Sequence, residues 1–240
     1  MKTIRKEIDR ANHITVISKF TESELLRYAS DVCINKPISV IYNGVETLNQ
    51  YGVCAKCPKS INEGDSFFFT LGQVREKKNF HVLLPMMKYF PKYQLYIAGV
   101  NNTEYAKKIQ QTIEEQKISN VRLIGSISSE ERLWLYQHCE AFLFPSLFEG
   151  FGLPVIEAMQ FGKPVITSGQ TSLNEIGGCY CYEWKDFEPK TMASFLIKSL
   201  MDFSAQPQKR EEQIAYAMSF TYKKNIDAYF KLYSELCKTN

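Results

Sequence analysis

Ala141-Phe-Leu-Phe-Pro-Ser-Leu-Phe-Glu-Gly-Phe-Gly-Leu-Pro-Val-Ile-Glu-Ala-Met159 carries a complete strand–turn–helix unit. Ala141 to Phe144 is apolar without a break, as a strand covered on both faces must be. Gly150 and Gly152 let the backbone turn tightly and leave room for a ligand to approach main-chain amides. Pro154 suits the first helical turn, where its missing N–H costs nothing. The predicted helix runs from Pro154 to Phe161 and leads into another strand, Pro164 to Thr167.

The same alternation extends in both directions. Upstream, strands are predicted at 14–17, 39–42, 67–71, 94–98 and 121–124, with helices at 21–31, 80–89, 103–116 and 129–138. Thr21 and Ser129 are the expected helix caps. Residues 46–66, with Gly, Pro, Asn and two cysteines, read as a loop. Downstream follow a short helix after Ser172, a strand near 179–182, and helices at 189–203, 208–218 and 221–237. Strands alternating with helices imply right-handed βαβ units, hence an α/β fold: a Rossmann-like parallel sheet with helices on both faces. Ligands in such sheets sit beyond the carboxyl ends of the strands. That rule selects the loops 72–78, 99–102, 125–128 and 145–153.

Composition narrows the function. The 240 residues carry 29 Lys and Arg against 26 Asp and Glu, a net charge of +3, too small to predict nucleic-acid binding. No apolar run approaches the roughly 20 residues of a membrane span, and the charged start MKTIRKEIDRANH is no secretory signal. A soluble, cytoplasmic domain is expected. The seven cysteines are odd in number and scattered, which fits reduced thiols. Cys54, Cys57, Cys179 and Cys181 make a poor zinc set, because Cys-x-Cys is unsuitable spacing and no His lies near either pair. There is no Gly-x-Gly-x-x-Gly, no Gly-Lys-Ser/Thr and no Asp-x-Asp, so neither a nicotinamide or flavin site, an ATPase loop nor a metal–diphosphate motif is expected. The Phe and Tyr residues sit at core-like positions and read as packing.

Within the quoted stretch, free N–H groups at the start of the helix, with the positive end of its dipole, suit a phosphate. Glu157, about one turn in, could accept hydrogen bonds from a vicinal diol, as acidic residues do for ribose in dinucleotide sites. Taken singly, the residues leave open that Glu157 only complements the helix dipole, that Glu149 is a solvated loop residue, and that Lys78 is a solvated loop lysine.

Taken together, Glu149 and Glu157, seven residues apart within Glu-Gly-Phe-Gly-Leu-Pro-Val-Ile-Glu-Ala, resemble the Glu-x7-Glu signature of retaining glycosyltransferases of the GT-B fold, family 4. Ile14-Thr-Val-Ile-Ser18 with Thr21-Glu-Ser-Glu-Leu25 resembles that family's interdomain segment. Ile41-Tyr-Asn-Gly-Val45 resembles its turn, Gly72 through Lys78-Asn79 its phosphate loop, and Val121 to Gly125 its base-pocket strand. The resemblance covers essentially the whole chain.

The resemblance implies roles by position. Glu157 matches the glutamate that binds the ribose hydroxyls, and Glu149 the one that contacts the transferred sugar. Gly150, Phe151, Gly152 and Leu153 match the loop whose amides meet sugar and diphosphate. Gly72 belongs to the phosphate loop, and Lys78 matches the lysine that neutralises the leaving diphosphate. The family commonly has Gly-Arg before that loop, whereas this chain has Gly72-Gln73; Arg75 or Lys77 is the candidate second cation. No cofactor and no metal are implied, only a nucleoside diphosphate sugar as donor.

The resemblance further implies that the chain corresponds to the donor half of a GT-B enzyme. Residues 1–20 would be a remnant of the acceptor domain and interdomain segment, 21–220 the nucleotide-sugar-binding domain, and 221–240 the C-terminal crossover helix. Its expected activity is transfer of a hexose, such as mannose or glucose, to a glycan or lipid-linked acceptor in polysaccharide or lipopolysaccharide assembly. The mechanism implied is same-face displacement assisted by the leaving phosphate. The alternative is a non-catalytic nucleotide-sugar-binding module or subunit of a split enzyme. Both leave open peripheral association with the inner face of the plasma membrane, a homodimer through the stripe Ile226, Tyr229, Phe230, Tyr233 and Leu236 with Ile4 and Ile8, or a separate acceptor-domain partner.

Overall fold

A computed structural model describes residues 2–47 and 54–238; residues 48–53 of the expected 46–66 loop, and both chain ends, lie outside the described residues. Two parallel sheets organise the chain. The smaller pairs β1 (Ile14–Val16) with β2 (Ile38–Val40), flanked by α1 (Lys2–Arg10) and α2 (Lys19–Cys33). Ile8, Ala29 and Cys33 form the buried core of this layer, with Ile14, Leu25 and Val32 packed against it.

The larger sheet has six parallel strands: β3 (Phe67–Leu71), β4 (Gln94–Ala98), β5 (Val121–Gly125), β6 (Ala141–Phe144), β7 (Val165–Thr167) and β8 (Tyr182–Glu183). Their spatial order is β5-β4-β3-β6-β7-β8. The chain therefore builds outward from β3 to one edge, then returns beside β3 and builds to the other. β3 and β6, in register at Phe68↔Ala141 and Phe69↔Phe142, flank the point where the order reverses.

Side chains of β3 alternate between two buried layers. Phe67 and Phe69 point into one core with Tyr96, Phe142, Phe144 and the helices α5 (Ser129–His138), α6 (Leu153–Gln160), α7 (Ser172–Gly177) and α9 (Pro207–Met218). Phe68 points into the other with Leu95, Ile97, Leu143, Ile166, α4 (Glu104–Glu115) and α8 (Pro189–Ser204). This is why the strand is apolar without alternation. The expectation of a Rossmann-like parallel sheet covered on both faces is met.

Local chemistry moves several boundaries. Ser18, not Thr21, caps α2, accepting the Thr21 N–H at 3.0 Å. Ser128, not Ser129, caps α5, through a capping box with Glu131. The helix expected at 80–89 is one α-turn, α3 (Leu83–Met86), between 3-10 turns; Pro85 brings no N–H to continue an α-helical ladder. The strand expected at 179–182 lies later, because Gly178–Tyr180 forms a 3-10 turn and β8 begins at Tyr182. On α10 (Tyr222–Lys238), Ile226, Phe230 and Tyr233 are exposed as expected while Leu232 is buried; Ile4 is exposed, but Ile8 is inside the α1–α2 core and cannot extend that stripe.

Candidate functional site

The loops after β3 and β6 leave the two strands at the reversal point, where open α/β sheets form a crevice. After β3 the chain passes Gly72, whose N–H donates to the Ala98 carbonyl at 3.0 Å, and Val74, whose N–H donates to the Val100 carbonyl at 2.9 Å. A 3-10 turn at Glu76–Lys78 ends with Asn79 in the left-handed region, φ 58°. After β6 the loop is tied to that turn: Leu147 N–H donates to the Lys77 carbonyl at 2.8 Å, and Ser146 Oγ lies 3.1 Å from the same oxygen.

These anchors bring Lys78 to Glu149. Lys78 Nζ donates to Glu149 Oε1 at 2.6 Å and lies 4.7 Å from the centre of the Phe144 ring. Ser146 Oγ donates to the same oxygen at 2.6 Å. Both ions are buried, at 9% exposure each, so the pair sits in a poorly screening environment. Gly72 is part of the same arrangement: a Cβ there would come within 3.0 Å of Lys78 Cε and 3.2 Å of Nζ.

The Glu149–Leu153 turn is held from three sides. Ser172 Oγ shares its one proton between the Glu149 and Phe151 carbonyls, at 2.9 and 3.0 Å, Thr171 Oγ1 accepts the Glu149 N–H, and Ser18 and Thr21 hydroxyls donate to the Gly150 carbonyl at 2.7 and 3.2 Å. Gly152 caps α6 with φ 104°, a conformation that favours glycine, and a Cβ there would come within 2.9 Å of Leu173. Phe151 is buried, its ring 6.0 Å from those of Tyr42 and Phe220, so any ligand would meet its backbone and not its side chain. Leu153 is exposed at the start of α6.

Glu157 is buried on α6 at 6% exposure. Arg132 Nη1 donates to its Oε1 at 3.0 Å, and the Tyr136 hydroxyl donates to its Oε2 at 2.9 Å. Burial pushes the Glu157 carboxyl above the usual range, opposed by the Arg132 charge and the Tyr136 hydrogen bond, while Glu46 adds a smaller upward push. The structure thus brings together Lys78, Glu149, Gly72 and the 150–153 turn. Arg75 and Lys77 side chains remain on the exposed rim.

Arg132, Tyr136, Ser146 and Ser172 were not singled out from sequence. Arg132 and Tyr136 carried a readable signal, since positions i and i+4 share a helix face. Ser146 meets Lys77 across 69 residues and Ser172 meets Glu149 across 23, contacts that only the fold closes. Elsewhere, a concavity of about 840 Å³ lined by Lys163, Pro164 and Arg210 opens at the amino end of β7, away from the site. An apolar groove of about 420 Å³ lies between α1, α2 and Phe148. Among the described residues no three His, Cys, Asp or Glu side chains cluster as for a metal ion, and no helix is long and apolar enough to cross a membrane.

Comparison with known proteins supplies relatives. The chain is 26% identical over 232 residues to the serotype-specific mannosyltransferase WbdA of Escherichia coli, covering 90% of this chain and 28% of WbdA. It is 25% identical over 244 residues to the O-antigen chain mannosyltransferase B of the same organism, covering 95% of this chain and 63% of that one. The chain thus spans less than two thirds of the length of these curated relatives. Its fold is similar to that of a sucrose-phosphate synthase of Thermosynechococcus elongatus (TM-score 0.82, 19% identity, 100% of this chain and 62% of the other). It is similar also to Anabaena HepE, solved with UDP and glucose (TM-score 0.77, 18% identity, 97% and 66%). The model of the family described as glycosyl transferases group 1 matches residues 56–177, just over half of the chain. The chain belongs to this family of glycosyl transferases.

Proposed function

We propose that this chain is the donor-binding half of a retaining glycosyltransferase that moves a hexose, mannose or glucose, from a nucleoside diphosphate sugar to a glycan or lipid-linked acceptor. The observation that carries the reading is the Lys78–Glu149 pair at the reversal point of the sheet, with Glu157 on the helix that follows. Lys78 supplies the cation for the leaving diphosphate, where negative charge grows as the glycosidic bond breaks, and Glu149 addresses the sugar hydroxyls. Glu157 takes the ribose diol. The 150–153 turn and the start of α6 offer main-chain N–H groups to the phosphates.

The names of the mannosyltransferase relatives favour mannose and O-antigen or other polysaccharide assembly. In this reading residues 21–220 form the nucleotide-sugar domain, while residues 1–20 and the helix from 221 face the acceptor side. Transfer proceeds with retention by same-face displacement, without a metal, in the cytoplasm at the inner face of the membrane. The alternative, a nucleotide-sugar-binding subunit that turns over only with a separate acceptor domain, uses the same pocket.

Calorimetric titration of the chain with GDP, UDP, ADP and their sugars tests the reading. One nucleoside diphosphate should bind, and Glu157→Ala should weaken it by about 1.5–3 kcal/mol, the worth of a charge-assisted hydrogen bond. Binding of no nucleotide by a folded wild-type chain would overturn it.

A further inference from the structure

Glu157 faces a conflict that its own helix does not resolve. A diol is best held by an ionised carboxylate, which accepts through both oxygens, yet the carboxyl is buried at 6% exposure. The answer comes from α5. Arg132 and Tyr136, one turn apart, meet one oxygen each, at 3.0 and 2.9 Å. Each carboxylate oxygen has two acceptor positions, so one donor on each leaves one position on each. Two adjacent open positions on one fixed carboxylate are what a vicinal diol requires.

Arg132 is itself fixed from a second direction. Its Nη2 donates to Glu46 Oε2 at 3.2 Å, in the segment after β2. The guanidinium therefore bridges the segment that leaves the small sheet and the helix that carries Glu157. A planar fork with its charge permanently on suits this task better than a lysine would.

We propose that Arg132 is a positioning residue for the nucleotide site: it holds the Glu157 carboxylate charged and turned toward the ribose hydroxyls, with Tyr136 fixing the second oxygen. This rests on the reading of Glu157 as the ribose ligand. Other charged groups do not substitute for Arg132. Glu46 opposes ionisation, β6 and β7 carry no charged residue, and the Glu175 carboxylate of α7 is engaged by the first turn of α2. Arg210 of α9 lies against Gly162, beyond the far end of α6.

The test is the pH profile of GDP and UDP affinity from pH 5.5 to 9 for the wild-type chain, Arg132→Met and Arg132→Lys. Differences from wild type cancel the titration of the nucleotide's own phosphates. Arg132→Met should bind more weakly than wild type by up to about tenfold at the acid end of the range and converge on wild type toward pH 9, its profile displaced upward by about one pH unit, since a displacement of one unit corresponds to at most tenfold. Arg132→Lys should restore the wild-type profile and only part of the affinity. In the nucleotide-free protein the Glu157 side-chain carboxyl, followed by NMR, should titrate at higher pH in Arg132→Met. A loss in Arg132→Met that is constant across pH, or an unmoved Glu157 titration, would overturn the inference while leaving the site reading intact. Failure of folded wild type to bind GDP, UDP and ADP alike would remove both.

Discussion

Lys78 Nζ and Glu149 Oε1 stand 2.6 Å apart although 71 residues separate them in the chain. The contact joins the two loops that leave the sheet on either side of its reversal point, and both side chains are largely withdrawn from water, at 11% exposure each. Ser146 Oγ adds a second donor to the same carboxylate oxygen, so Glu149 stays partnered if the lysine turns to another anion. The pair therefore positions a cation in a crevice without leaving either charge alone.

Removing one partner should cost more than removing both. Lys78→Met leaves a buried carboxylate with the Ser146 hydroxyl but no compensating charge and should destabilise the chain by about 3 kcal/mol, whereas Lys78→Met combined with Glu149→Gln should recover a large part of that loss. Chemical denaturation of the two single variants and the double checks the cycle. The same Lys78→Met should weaken GDP or UDP more than the matching nucleoside; equal losses would assign the lysine a purely structural part.

Glu157 should make stability depend on pH. Its folded carboxyl is pushed above the unfolded value, mainly by burial. As pH rises through the unfolded glutamate's range, the unfolded chain gives up its proton first, so the folded state loses relative stability until the folded carboxyl also ionises. Glu157→Gln has no such proton. The melting temperature of Glu157→Gln minus that of wild type, measured from pH 4 to pH 7.5 without nucleotide, should grow with pH. A difference that stays flat would contradict the shift.

The sheet was legible because burial on both faces leaves an unmistakable pattern: Phe67-Phe-Phe-Thr-Leu71 and Ala141-Phe-Leu-Phe144 show no alternation of polar and apolar residues, and the one polar member, Thr70, is buried with the rest. The pocket loops were legible because Gly150, Gly152 and Pro154 are chosen for backbone reasons that act locally. The partners of the two glutamates were not. Arg132 reaches Glu157 across 25 residues, and Glu175 reaches Lys19 across 156, so their roles depend on which helices pack together. Helix starts slipped for a smaller reason. In Ser128-Ser129 either hydroxyl could cap, and the reciprocal bond from Glu131 selects Ser128.

Gly99 should be the least replaceable glycine of the sheet's carboxyl edge. It follows β4 directly with φ 130°, and a Cβ would fall 2.1 Å from the Gly72 carbonyl oxygen and 2.6 Å from its carbon. Neither can step aside, because Gly72 and Val74 are hydrogen-bonded to the backbone on both sides of Gly99, at Ala98 and Val100. Gly99→Ala should cost about 3 kcal/mol from strain and overpacking together and displace the loop carrying Lys78. Gly64 is the control: nothing lies within 4 Å of its added Cβ, so Gly64→Ala should be neutral or stabilising by about 0.5 kcal/mol. Equal melting shifts for the two would refute the steric account.

Glu175 should govern how firmly the N-terminal layer is held against the larger sheet. From α7 its Oε1 accepts the Lys19 N–H at 2.9 Å and the Tyr42 hydroxyl at 2.7 Å, and its Oε2 accepts the Phe20 N–H at 3.1 Å. Those N–H groups belong to the first turn of α2, where a helix has no partners of its own and its dipole favours an anion. The Ser18 and Thr21 hydroxyls on the Gly150 carbonyl add a second tie to the same turn. Glu175→Ala removes the carboxylate but leaves that second tie, so the expected loss is partial, about 1–2 kcal/mol, in the range of a lost helix cap. Its location is the sharper signature. By hydrogen exchange, the amides of Lys19 and Phe20 should lose protection by at least tenfold, while amides of β3, β4 and β6 keep theirs unless the whole chain unfolds. Uniform loss across both sheets would mean that Glu175 supports the global core, and unchanged exchange at Lys19 and Phe20 would mean that water replaces the carboxylate without consequence.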